Sequence, residues 1–438
     1  MMKFSLALAI CCFLFIKTTG FSQNLYFPPV NGDRWETIQP ESLGWCTDSI
    51  NSLYDYLDAE ESKAFILLKD GKIVLEKYFY QFTKDSLWYW ASAGKTLTAF
   101  LTGIAQSEAS LNLSDPASDY LGKAWTSCSL AQEQQITIRN LLTMTSGLDD
   151  GVPDNHCTKP SCLTFKADPG TRWAYHNAPY TLIRDVLEKA SGMNENQFIQ
   201  SRLKSKTGMN GLWLTSGYDN VFFSNARSMA RFGLLILNKG FWDTNDLLHD
   251  PVYFGEMVHP SQTINKSYGY LWWLNGQASF MLPGLQLVFP GSYCPQAPKD
   301  MFAAIGKNGQ ILCVVPSQNL VVLRMGEAGG VGNDDVPIVL CNQMWSRINR
   351  LNCQPLALDD IRSDPFAVYP NPASHLLSIS NINKINIHKI FIYNYLGENM
   401  PIIWKGNQLD IGPYQAGVYW ISLPTKDQCK VQKFIKVN

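Results

Sequence analysis

Two short apolar runs, Phe65-Ile66-Leu67-Leu68 and Ile73-Val74-Leu75, flank Lys69-Asp70-Gly71-Lys72. An Asp-Gly pair between strand-like runs is a strong hairpin signal, so the pattern predicts a β-hairpin from Ala64 to Tyr80. From about Ser92 the period changes, and Leu97, Leu101, Ile104 and Ala105 fall on one helical face. A mainly helical middle follows, including Thr181 to Ala190 and Ala226 to Asn238. Strand patterns return at Met301 to Ile305, Ile311 to Val315 and Leu320 to Leu323. Two early strands, a long helical insertion and late strands that must pair with the first predict an α+β fold. Its centre is one antiparallel sheet flanked by helices, with a helical subdomain.

The pattern changes again near Pro355. His375 to Ser380, Lys389 to Tyr395, Gly417 to Leu423 and Lys430 to Val437 read as short alternating strands. They predict a small C-terminal β-sandwich over 367–438, joined by a linker at 356–366 to a larger domain at 23–355. At the other end, Lys3 precedes an apolar run from Phe4 to Ile16, followed by small and polar residues. That run is too short to span a bilayer, and residues 1–22 read as a signal peptide. No later stretch has the length of a transmembrane segment.

Composition narrows the function classes. Lys plus Arg (36) and Asp plus Glu (37) nearly cancel, which argues against a nucleic-acid partner. Of 11 cysteines, Cys11 and Cys12 fall inside the apolar run, leaving an odd number in an exported chain. Cys157 and Cys162 share a short loop and are expected to form a disulfide. His156 beside them invites a zinc reading, but no fourth ligand accompanies it.

The candidate chemistry begins at Ser92-Ala93-Gly94-Lys95. A Ser-x-x-Lys tetrad is weak alone, since about one or two arise by chance in a chain of this length. A second one, Ser201-Arg202-Leu203-Lys204, lies in a polar helical stretch and reads as a surface coincidence. Ser92 instead opens an apolar helical run after Trp88-Tyr89-Trp90. At a helix start, Ser and Lys three residues apart share a face, and the helix dipole favours negative charge on the serine oxygen. Burial of Lys95, or a second cation nearby, would lower its pKa and make it a base for Ser92. Tyr175, in Tyr175-His176-Asn177, is placed to pass a proton to the leaving group. Tyr218-Asp219-Asn220 has the same form but reads as a structural turn. For the strand edge, Lys206-Thr207-Gly208 reads as a helix cap, whereas Lys307-Asn308-Gly309 sits between two apolar strands. Lys307, Gly309 and Asn177 are therefore expected to bind substrate. The backbone N–H groups of Ser92 and Gln310 are expected to form an oxyanion hole.

The ordered set Ser-x-x-Lys, Tyr-x-Asn, Lys-x-Gly resembles the serine β-lactamase and penicillin-binding-protein superfamily, above all the class C β-lactamase-related hydrolases. Ile136 to Leu148 and Pro169-Gly170-Thr171 add to the resemblance, which covers about residues 40 to 350. It implies acylation of Ser92 followed by hydrolysis of an ester, an amide or a short peptide, with no metal and no cofactor. Asn308 replaces the family's usual Thr or Ser, which weakens the case for β-lactam carboxylate recognition. Tyr369-Pro370-Asn371-Pro372, Gly417-Val418-Tyr419 and Lys433-Phe434-Ile435-Lys436 resemble the type IX secretion sorting domain of Bacteroidetes. That resemblance implies secretion machinery as a partner and an extracellular or outer-membrane-surface location. Two rival readings are a Ser-His-Asp hydrolase using His176 and a non-catalytic binding protein on the same fold. The chain lacks a Gly-x-Ser-x-Gly elbow for the first, and its three intact motifs argue against the second.

Overall fold

Asp70 and Gly71 both take positive φ (51° and 82°), as the predicted two-residue hairpin turn requires. They join β1 (Ser62–Lys69) to β2 (Lys72–Tyr78) in the computed structural model, which describes residues 25–330, 335–352, 367–424 and 429–437. The expected signal peptide and the 356–366 linker lie outside the described residues. Gly71 has a second reason to be glycine: a Cβ there would stand 2.0 Å from the carbonyl oxygen of Tyr26.

The chain then leaves the sheet through β3 (Trp88–Tyr89) and α1 (Lys95–Ser107). The middle region supplies α2 (Asn177–Thr181), α3 (Ile183–Ser191), a hairpin of β4 (Leu212–Ser216) and β5 (Asp219–Ser224), and α4 (Ala226–Leu237). Asn225 caps α4, its side chain accepting from the Ser228 N–H. The chain returns through β6 (Trp273–Leu274), β7 (Phe302–Gly306), β8 (Gln310–Val315) and β9 (Leu320–Gly326), ending this part with α5 (Ile338–Ile348). The six strands run β2-β1-β9-β8-β7-β6, antiparallel throughout. First and last parts of the chain therefore close on one another at β1–β9, with Leu67 opposite Val322. β7, β8 and β9 are buried along their whole length, which is why they read as continuous apolar runs rather than alternating ones. α4 packs against β1, β8 and β9. A separate three-stranded sheet, β3-β5-β4, ties the entry to α1 to the helical region.

α1 departs from the amphipathic pattern, because residues 95–105 are buried on every face. A helix covered all round sits in the middle of its domain. Whatever polar group it carries must be neutral or paired there.

The C-terminal part has a hydrophobic core of its own, with Leu377, Ile392, Leu409, Ile421, Leu423 and Phe434 at its centre. One sheet has four strands, Val368–Tyr369, Leu376–Ile379, Gln408–Asp410 and Trp404–Lys405; the other has three, Phe391–Tyr393, Gly417–Pro424 and Cys429–Lys436. This is the predicted sandwich, with three short strands that the sequence pattern did not mark, Val368–Tyr369, Trp404–Lys405 and Gln408–Asp410. Among the described residues no helix is long and apolar enough to cross a membrane.

Candidate active site

Ser92 stands in the 3-10 turn Ala91–Gly94 that runs directly into α1. Ala91, just before it, has φ of 46°. That left-handed conformation costs a non-glycine residue about 1 kcal/mol and persists only where the surroundings impose it. The end of β7 packs directly against this turn. A Cβ on Gly306 would lie 2.6 Å from the Trp90 carbonyl oxygen, 2.8 Å from the Ala93 nitrogen and 3.0 Å from the Ser92 nitrogen. Only glycine lets the strand come this close.

One turn along, Lys95 is 4% exposed, and its Nζ lies 2.9 Å from Ser92 Oγ. The amine also sits over the rings of Tyr175 and Tyr180, 5.1 Å and 4.4 Å from their centroids. Among the described residues no carboxylate touches it, and burial pushes its pKa down to about 7 from 10.5; Asp219 and Asp335, at longer range, pull it back up. A lysine in this state is about half unprotonated at neutral pH.

Tyr175 completes the group. Its ring stacks on Trp273 (6.0 Å between centroids) and meets Tyr268 edge-on (6.2 Å). Burial drives its phenol far above the ordinary tyrosine range, with the Ser92 hydroxyl as a partial offset, so it keeps its proton. Lysine and tyrosine thus have opposite shifts with the same cause. Removing water disfavours the cation in one and the anion in the other.

These residues open into a cleft of about 500 Å³, which Asn177 and Lys307 also line. One wall is a hydrogen-bonded chain: His156 Nδ1 to the Asp219 carboxylate, and Asn177 Nδ2 to His156 Nε2 (3.1 Å) and Asn155 Oδ1 (3.2 Å). The loop bearing His156 is closed by the Cys157–Cys162 disulfide, as expected. On the opposite wall Lys307 Nζ lies 3.9 Å from Asp335 Oδ1, both side chains being largely exposed. Asn308, at φ of 61°, donates from Nδ2 to the Tyr89 hydroxyl at 2.7 Å.

The structure corrects two expected site residues. Gly309 and Gln310 do not reach the cleft. Gly309 rests on Arg324, whose buried guanidinium donates to the carbonyls of Asn308 (2.8 Å), Gly309 (2.9 Å) and Glu60, and to Ser62 Oγ. A Cβ on Gly309 would lie 2.2 Å from Arg324 Nη1, so that glycine serves the packing of the turn. Gln310 is fully buried; its side-chain amide donates to Gly326 O at 2.6 Å and accepts from Gly326 N–H at 3.1 Å. Its backbone faces Gly306, its partner in the ladder. The glycine against Ser92 is Gly306, three residues before the expected one. Two positions before it on β7 stands Ala304, apolar and buried, where the Lys-x-Gly pattern would put a cation.

The same geometry indicates which N–H lies beside Ser92. Met301 O accepts from Asn275 N–H on the β6 side. By antiparallel alternation Ala303 and Ile305 also turn their backbone groups to that side, and Lys307 follows directly, opening the 3-10 turn Lys307–Gly309. Neither Lys307 N–H nor Ser92 N–H donates to another group among the described residues.

Other readings resolve simply. His176 is 2% exposed, both ring nitrogens lack a partner among the described residues, and burial lowers its pKa to about 4. It is a neutral core histidine away from Ser92. Ser201 bonds the carbonyls of Gln197 and Phe198, and Lys204 bonds Gly211 O, so that tetrad caps local structure. Gly208 is the left-handed helix cap predicted for it. The Tyr218-Asp219-Asn220 segment, however, is more than a turn, since Asp219 and Asn220 line the cleft. Behind them Asn220 bonds buried Glu195, whose carboxyl is pushed up to about 8. His156, Tyr180, Tyr89 and Asp335 were likewise not anticipated at the cleft.

An antiparallel sheet flanked by helices, with serine, buried lysine and tyrosine converging where β7 meets α1, defines the β-lactamase/transpeptidase class. The family model described as Beta-lactamase matches residues 57–331, and this chain belongs to that family. A second model, for the secretion system C-terminal sorting domain, matches residues 367–437 and marks the protein as secreted by the type IX route. A β-lactamase of Escherichia coli (strain K12) is 30% identical over 139 residues, 30% of this chain and 36% of that protein. The chain thus spans little more than a third of that relative's length. Among solved structures, a penicillin-binding protein homologue from Caulobacter crescentus matches with a TM-score of 0.55 at 12% identity, covering 73% of this chain and 99% of that one. The octameric penicillin-binding protein homologue from Pyrococcus abyssi matches with a TM-score of 0.50 at 14% identity, covering 88% and 89%. These likenesses concern the fold.

Proposed function

We propose that this protein is a secreted serine hydrolase that cleaves an ester or amide through an acyl-enzyme on Ser92. The observation that carries the reading is the buried Lys95 amine, 2.9 Å from Ser92 Oγ and with its pKa lowered to about 7. Unprotonated Lys95 takes the proton of Ser92 as Oγ attacks the substrate carbonyl. The oxyanion forms at the N–H groups of Ser92 and Lys307, the latter replacing Gln310 in the role expected from sequence. Tyr175, protonated because it is buried, passes its proton to the leaving group and recovers one from Lys95. Water then attacks the acyl carbonyl, giving a proton to the same pair, which returns it to Ser92 Oγ as the serine leaves and the acid product forms. Asn177 and Asn155 line the path of the acyl group.

β-Lactam or D-Ala-D-Ala cleavage is the second reading within this class. The absence of a strand cation at Ala304 and the pairing of Lys307 with Asp335 count against a carboxylate-bearing substrate. The mature protein treated with a fluorophosphonate should gain one adduct, mapped to Ser92 by mass spectrometry. Ser92→Ala should lose both labelling and ester turnover. Turnover by Ser92→Ala equal to the parent would refute the assignment and leave the non-catalytic reading or another nucleophile.

A further inference from the structure

We propose that the cleft selects substrates carrying a protonated amine, held between Asp219 and Asn177. This deepens the hydrolase reading and rests on it for the reaction, though not for recognition. Three features of the cleft lead to it.

The first is hydrogen-bond polarity. The Asp219 carboxylate can only accept, so its partner His156 Nδ1 must carry the proton. In the neutral ring Nε2 is then an acceptor, and Asn177 must turn its NH₂ toward it. The second hydrogen of that NH₂ goes to Asn155 Oδ1. Both Asn177 donors are occupied, which leaves Oδ1 as the group available to a ligand. Asp219 Oδ2 likewise has no partner among the described residues. This wall therefore offers acceptors and asks for a donor.

The second feature is charge. At pH 8 Lys95 is mostly neutral, Lys307 Nζ lies 3.9 Å from Asp335, and β7 has Ala304 where a cation could have stood. Beside Asp219 the described residues place the His156 ring. With Asp335 set against Lys307, the Asp219 carboxylate, which acts on Lys95 at longer range, leaves the cleft with a net negative charge. An ammonium group entering it gains an ion pair, whereas a carboxylate meets repulsion.

The third feature is rigidity. The Cys157–Cys162 disulfide begins at the residue after His156, and Asn155 O accepts from Ala178 N–H at 2.9 Å. The acceptors are thus fixed to the loop and to α2, and little ordering remains when a ligand binds.

Three ethyl esters of similar length separate the alternatives at pH 8, where an ordinary imidazole is uncharged: 3-aminopropanoate, butanoate and hydrogen succinate. The kcat/KM for the amine should exceed that for butanoate about tenfold, with the succinate slowest. Asp219→Asn should reduce the amine-to-butanoate ratio to about one. A parent ratio of one or less, or a ratio unchanged in Asp219→Asn, overturns the proposal. A second readout is independent of catalysis. Calorimetry on Ser92→Ala should show propylammonium binding at least tenfold tighter than propanoate, and equal or reversed affinities overturn the proposal. Recognition without turnover in the parent would refute the hydrolase reading alone.

Discussion

Lys95 is a cost to the fold and, in the mechanism we propose, the base that activates Ser92. Holding its pKa near 7 rather than 10.5 means that the folded state resists a proton the unfolded chain accepts freely. At pH 7 the penalty is on the order of 4 kcal/mol, since each pKa unit is worth about 1.4 kcal/mol. The unfolded chain binds more protons between the two values, so stability from this site rises with pH across about 7 to 10.5. Lys95→Met should therefore stabilise the protein at pH 7 by roughly 2–4 kcal/mol while lowering kcat/KM at least about a thousandfold. In urea titrations the gain should shrink toward zero as the pH approaches 10.5; a constant gain would show that Lys95 is not neutralised in the fold. In the parent enzyme kcat/KM should rise with pH and level off above about 7, as Lys95 loses its proton. His176 gives the acid counterpart. Its folded pKa is about 4 against 6.5, so its contribution is complete above 6.5 and falls by about 3 kcal/mol as pH drops through 4. His176→Phe should flatten that acid limb of the stability curve without changing the neutral-pH rate more than a few fold. A pH–stability curve identical to the parent's would remove His176 as the acid-sensitive group.

At the scale of elements, strands and helices were legible where burial repeats with a regular period. The Asp-Gly hairpin, the helix capped by Asn225 and the late strands β7, β8 and β9 all follow from local pattern. So does the Ser92–Lys95 spacing, because three residues at a helix start bring two side chains together whatever the rest of the chain does. What was not legible depends on contacts made across the fold. Lys307-Asn308-Gly309 matched a motif in sequence, yet the glycine that touches Ser92 is Gly306, and no local signal separates the two. Arg324 is the hidden partner: by binding the Asn308 and Gly309 carbonyls it fixes the turn and swings Gly309 away from the serine. Asp219 and His156 lie 63 residues apart in sequence and meet only when β5 forms. The contrast between the two glycines is testable. Gly306→Ala puts a methyl 2.6 Å from the Trp90 carbonyl and must push β7 off the serine turn. It should lower kcat/KM by at least about a hundredfold, within the range seen when an oxyanion donor is displaced. Circular dichroism should show the fold retained, and near-parental turnover would mean that β7 does not form the oxyanion wall.

At the scale of the whole molecule, the chain joins two units with different duties. The hydrolase part carries one large core and the C-terminal sandwich another, each with its own buried centre. Among the described residues, those lining the cleft lie between Tyr89 and Asp335, and none comes from the sorting domain at 367–437. Catalysis and export should therefore separate cleanly. A chain ending at Leu351 should fold, take the fluorophosphonate label and keep kcat/KM within about twofold of the parent, because its core and cleft are complete. Expressed in a host with a type IX system, the same truncation should accumulate behind the outer membrane while the full chain passes it. The two outcomes bear on different claims: lost activity in the truncated chain would mean that the sandwich supports the hydrolase core. Normal export without the sandwich would mean that the address lies elsewhere in the chain. Export also bears on substrate, because a hydrolase beyond the outer membrane meets molecules of external origin. On the proposed mechanism, a rigid cleft with Asp219 in its wall and Lys95 as the base would favour amine-bearing esters and amides from that pool.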